Sequence, residues 1–79
     1  MEGNAEKSMI ETQGNDRMRK IVDLLPEEQR EVIVLRHYAD MSFKEIAQVT
    51  NTSINTALGR MRYGLMNLRK IMAEKQVVA

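Results

Sequence analysis

Asn55, Leu58, Gly59, Arg62, Met66 and Arg69 recur at three- and four-residue intervals, the spacing of one face of an α-helix. A helix face that meets only water is more often rich in Glu and Lys. This one mixes an amide, two guanidinium groups, a glycine and two apolar side chains. Asn can bond an adenine edge, Arg a guanine edge or a phosphate, and Leu can meet a thymine methyl. Gly59 lets the helix approach closely. The chemistry on offer is recognition of a nucleic-acid groove. The competing reading is a charged surface with no partner.

Other chemistries lack their residues. The chain has no cysteine, so a disulfide framework, a thiolate metal site and thiol catalysis are excluded. The single His37 builds no histidine cluster. His37 and Asp40 stand one turn apart, but one such pair is not a metal site, and a surface histidine near a helix C-terminus is the better reading. At 79 residues the chain makes one small domain with a thin core and no room for a deep, dry active site. We therefore expect no catalytic residue, metal or cofactor. Seven methionines suit an adaptable core or an interaction surface. The longest apolar run, Val32 to Leu35, is far short of a membrane span, and the polar, acidic first residues do not read as a signal peptide. The expectation is a soluble, cytoplasmic binding module with no membrane partner.

The charge is unevenly spread. Residues 1–41 carry six Lys/Arg against nine Asp/Glu, a net −3, and residues 42–79 carry six against two, a net +4. Such asymmetry points to a polyanion-binding end.

The elements that must position the face are all helical. Residues 1–15 hold only Met9 and Ile10 as sizeable apolar side chains and read as a flexible arm or linker remnant. The domain proper is expected over 16–79. Asp16 is a plausible N-cap for a helix carrying Met18, Ile21, Val22 and Leu25. Pro26 ends that helix and suits the first turn of the next, whose Glu27, Glu28 and Glu31 favour its positive end. Val32–Leu35 makes that second helix apolar on nearly every side, hence central and buried all round. Ser42 and Glu45 form a capping box for a short third helix, with Phe43, Ile46, Ala47 and Thr50 on one face. Asn51 interrupts it as a left-handed residue, and Ser53 caps a last, longer helix. The predicted helices run over about 16–25, 26–39, 42–50 and 54–75. On the last, Ile54, Ala57, Met61, Gly64, Leu65, Leu68 and Met72 form a core stripe.

A short helix, a turn of three or four residues and a longer basic helix make the helix-turn-helix pattern. Ala47 and Ala57 are small where the two helices must cross. The run Leu25-Pro26-Glu27-Glu28-Gln29-Arg30-Glu31-Val32-Ile33-Val34-Leu35-Arg36-His37-Tyr38, followed by Met41-Ser42-Phe43-Lys44-Glu45-Ile46-Ala47, resembles region 4 of sigma-70-type factors, of the extracytoplasmic-function type. Thr56, Arg60 and Met61 match that family's Thr, Arg and apolar positions in the recognition helix. The resemblance spans about residues 17–72. It implies an all-α bundle of about four helices with a helix-turn-helix, related to winged-helix-like DNA-binding domains. It also implies entry of the second helix of that motif into the major groove of double-stranded promoter DNA at the −35 element. The implied protein partners are the β-flap of core RNA polymerase and an anti-sigma factor.

Residues expected to contact DNA are Lys44, Ser53, Asn55, Thr56, Leu58, Gly59, Arg60, Arg62 and Tyr63. Of these, Thr56 and Arg60 are expected to hold phosphates, with Arg60 alternatively tying down local structure; Asn55, Leu58 and Arg62 are expected to face bases. The acidic half, with Glu27, Glu28, Glu31 and the apolar surface beside them, is the candidate protein-contact surface. Four positions depart from the family: Ala57 stands for Val, Leu58 for Lys or Arg, Gly59 for Ser and Tyr63 for Arg, which leaves a less basic reading face. Nothing in the chain resembles region 2, which leaves a piece of a longer factor or a short stand-alone protein; the polar first 15 residues resemble the linker between the two regions, which favours the piece. A response-regulator helix-turn-helix shares the layout, and a region 4 relic that binds only protein shares the weakened basic face.

Overall fold

The computed structural model describes residues 16–75. Four helices follow one another, α1 over 16–22, α2 over Glu27–His37, α3 over Phe43–Thr50 and α4 over Ile54–Glu74. No strand occurs among the described residues, and the all-α helix-turn-helix architecture is as expected. The expected arm, 1–15, lies outside the described residues.

Local chemistry sets most boundaries. Pro26, extended at φ −53° and ψ 146°, is the N-cap of α2 rather than its first residue, and Glu27 and Glu28 occupy the first turn. Asp16 lies inside α1, so it is not that helix's cap. α1 stops at residue 22, three short of the expected end, because the chain turns over 23–25 to drop Leu25 into the core. Leu25 thus serves the interior from a turn, where helical periodicity had counted it as helix. α2 ends at His37 rather than 39. There the amide of Ala39 bonds back to the Val34 carbonyl and that of Met41 to Leu35. Asp40 takes a left-handed φ of 56°. The Arg36 guanidinium donates to the Met41 carbonyl at 2.8 Å and stacks on the Phe43 ring at 4.9 Å. One side chain thereby ties the end of α2 to the start of α3.

Two apolar clusters build the core. Ile21, Val22, Leu25, Ile33 and Leu68 join α1, α2 and the second half of α4. Val32, Ile46, Ala47 and Ala57 join α2, α3 and the first half of α4. Ala47 and Ala57 are both buried, so the two small residues meet where the helices cross, as expected. Adjacent Val32 and Ile33 thus feed different clusters. Val34, by contrast, is 37% exposed, so α2 is not buried all round. Among the described residues three other helices pack around it, and one flank stays open.

Gly64 explains how closely α4 lies on α2. A Cβ there would stand 2.9 Å from Ile33 Cδ1 and 3.3 Å from the Gln29 Cβ. Beside it, the Asn67 amide donates to Gln29 Oε1 at 2.7 Å. The core stripe of α4 is narrower than expected. Ala57, Gly64 and Leu68 are buried and Met61 and Met72 half-buried, but Ile54 and Leu65 are exposed. They lie on the edge of the stripe, where α1–α3 cover them only in part.

Candidate nucleic-acid interface

The interface is built around the turn between α3 and α4. Ser42 opens α3 with both halves of the expected capping box. The Glu45 amide donates to Ser42 Oγ at 3.1 Å and the Ser42 amide donates to Glu45 Oε1 at 3.0 Å. The Ser42 backbone bond, aided by its hydroxyl, holds the Glu45 carboxyl below its usual range. At the other end Asn51 takes the left-handed conformation, φ 55° and ψ 47°. There the Thr52 amide reaches back to the Ala47 carbonyl at 2.9 Å, a helix stop that relies on one left-handed residue. The Thr50 hydroxyl donates to the Ile46 carbonyl at 2.7 Å and lies 3.0 Å from that of Thr52. The turn is therefore held by hydroxyls as well as by backbone.

Ser53 then caps α4. Its Oγ accepts the Thr56 amide at 3.0 Å, and its hydroxyl donates to Thr56 Oγ1 at 2.9 Å. The first turns of α2 and α3 carry acidic side chains, while that of α4 carries none. The positive end of the α4 dipole is left without a neutralising carboxylate of its own.

Every residue expected to face DNA, except Gly59 and Arg60, is exposed: Lys44 on α3, Ser53 in the turn, and Asn55, Thr56, Leu58, Arg62 and Tyr63 on α4. At about 100° per residue, Asn55, Gly59, Arg62 and Met66 run along the outer face of α4, away from Ala57, Gly64 and Leu68. Leu58, 43% exposed, lies on one shoulder of that face, and Thr56 and Tyr63 lie on the other. Arg69 and Lys70 continue the same side further along the helix, both exposed. Gly59 has open space where a Cβ would stand.

Arg60 sits apart. Its side chain is only 24% exposed, and its guanidinium lies 3.8 Å from the Glu28 carboxylate of α2. It belongs to the flank of α4. The alternative reading of Arg60, a residue that ties down local structure, has this contact in its favour. Sequence reasoning had no access to the pairing of Arg60 with Glu28 or of Asn67 with Gln29, because the partners lie 32 and 38 positions away.

These elements and their spacing coincide with a known pattern. The profile of the family described as sigma-70, region 4 matches residues 15–62. The chain belongs to the sigma-70 region 4 family. No solved structure matches it. The family is one of sigma-factor DNA-binding domains, which gives this chain a place in transcription and makes the helix-turn-helix its DNA-binding motif. The match takes in α1–α3 and the first half of α4, up to Arg62. It stops short of the resemblance read over 17–72, so Tyr63, Met66, Arg69 and Lys70 lie on a part of α4 that the sigma-70 region 4 match leaves out. None of the helices described is long and apolar enough to cross a membrane. Residues 16–41 hold five Lys/Arg against six Asp/Glu, so most of the acidic excess of residues 1–41 falls before residue 16, outside the described residues.

Proposed function

We propose that this region 4 domain, of the extracytoplasmic-function type, reads the −35 element of a promoter through the outer face of α4. In this reading Asn55 and Arg62 bond base edges, Leu58 meets a thymine methyl, and Lys44, Ser53, Thr56 and Tyr63 hold the flanking backbone. The observation that carries it is the outer face itself. Its polar and basic side chains are exposed, and no acidic residue occupies the first turn of α4. Phosphate contacts fix register and base-edge contacts select sequence. Helix N-termini such as that of α4 favour phosphate.

The opposite side serves protein partners in this reading, above all the β-flap of core polymerase, and an anti-sigma factor as the regulatory alternative. Asp23, Glu27, Arg30 and Glu31 rim an open groove of about 370 Å³ whose wall includes the exposed Val34. A monomer reading one short element lacks a second half-site, so tight promoter binding requires the polymerase.

The experiment is a comparison of Arg62→Ala with the parent chain on a panel of single-base variants of a bound duplex. A base reader loses preference at one base pair, by about 1–3 kcal/mol. An equal loss on every duplex makes Arg62 a phosphate anchor and overturns its role here.

A further inference from the structure

Two glycines five positions apart on α4 pose a contrast. Glycine in a helix interior destabilises it relative to alanine, so each needs a physical reason. Gly64 has one inside the fold, because a Cβ would press on Ile33 and Gln29. Gly59 has none, since no heavy atom of the domain outside its own helical surroundings lies within 4 Å of where its Cβ would stand. Its backbone conformation is ordinary, with no positive φ. Among the described residues nothing excludes a side chain at Gly59.

The neighbours at helical spacing say what kind of surface approaches. Asn55 lies four residues before, Arg62 three after and Tyr63 four after. All are exposed and flank Gly59 at helical spacing, and none brings a side-chain atom within 4 Å of where its Cβ would stand, so the place of that missing methyl is an open notch in the outer face. The Asn and Arg suit base edges, and the only apolar projection on the floor of the major groove is the thymine 5-methyl. From this we infer that Gly59 is a specificity-determining residue whose notch receives the 5-methyl of one thymine. The inference rests on the reading of α4 as the groove-reading helix. It adds a requirement for thymine at one base pair, set by a missing side chain. Leu58, on the shoulder, makes its contact independently.

The test swaps one methyl between protein and DNA. A duplex is selected from a randomised pool by the full 79-residue chain at low salt, and each thymine is replaced in turn by deoxyuridine. In the parent, one such replacement weakens binding about three- to fivefold, the value of one buried methyl. In Gly59→Ala the alanine methyl fills the notch. Binding to the thymine duplex falls, and the deoxyuridine at that one position restores it. Thermal unfolding supplies the control. Gly59→Ala raises the midpoint by about 4–8 °C, whereas Gly64→Ala lowers it. A Gly59→Ala chain that binds the thymine duplex as tightly as the parent overturns the inference, as does a uniform weakening with no deoxyuridine rescue. A parent chain that selects no duplex at all overturns instead the reading on which it rests.

Discussion

Ser42 and Glu45 each satisfy a backbone amide that the start of α3 would leave without a partner. Ser42→Ala should destabilise the domain by about 1 kcal/mol, read as a lower urea midpoint; an unchanged midpoint would mean that water replaces the cap at no cost. Glu45 adds a pH dependence. Its carboxyl is held below the usual range by Ser42, so the folded domain favours the charged form. That stabilisation is present above about pH 4.3, the ordinary value for a glutamate, and is lost as the pH falls through the lower, folded value. Glu45→Gln should flatten this part of the acid limb of an unfolding curve. Glu28 gives a different expectation. Its pair with Arg60 is long and Glu28 is well exposed, so Glu28→Gln should leave stability within about 0.5 kcal/mol. The freed guanidinium should then engage phosphate, steepening the slope of log affinity against log salt by about 0.9. A shallower slope would show that Glu28 aims Arg60 at DNA rather than competing for it. Ser42, Asn51 and Ser53 were legible in the sequence because caps and helix stops depend on a few adjacent residues. The flank position of Arg60 was not, because it depends on a partner in another helix.

At the scale of elements, the order of the four helices and the helix-turn-helix followed from periodicity and caps, while the errors share one physical source. Periodicity says which side chains lie on one face and is silent on how much of that face a neighbour covers. Val34, Ile54 and Leu65 continue apolar patterns yet are exposed, because a bundle of short helices runs out of partners. Leu25 is buried without being helical. Gly64 sat correctly on the core stripe, but its task, letting α4 settle on α2, is visible only from the Ile33 and Gln29 atoms above it. Overpacking at such a crossing costs about 1–3 kcal/mol, and the better helix propensity of alanine returns about 1. Gly64→Ala should therefore destabilise by on the order of 1 kcal/mol in urea. A gain would mean that α2 yields freely. The outer face of α4 was legible as a mixed polar and apolar surface; the emptiness around Gly59 was not.

For the whole molecule, the charges available to DNA set the strength of binding. Lys44, Arg62, Arg69 and Lys70 are exposed, and Arg60 is partly engaged by Glu28. With about three to five phosphates neutralised, the slope of log affinity against log salt should be roughly −3 to −5, and the isolated chain should bind a promoter fragment weakly. Nanomolar binding at physiological salt with a slope steeper than about −7 would instead indicate a self-sufficient dimer. The two apolar clusters that must act together in such binding share the backbones of α2 and α4 but few side chains. Among the described residues, Met61 alone packs against both apolar clusters, the one under α1 and the one between α3 and α4. Its sulfur makes the joint vulnerable to peroxide. Oxidation to the sulfoxide would place a polar S=O group at the seam, in a chain whose composition includes no cysteine to intercept the oxidant first. Mild peroxide should broaden the unfolding transition as the clusters uncouple, and Met61→Leu should lessen that broadening, leaving the part due to Met18, Met41 and Met72, which pack on one cluster each.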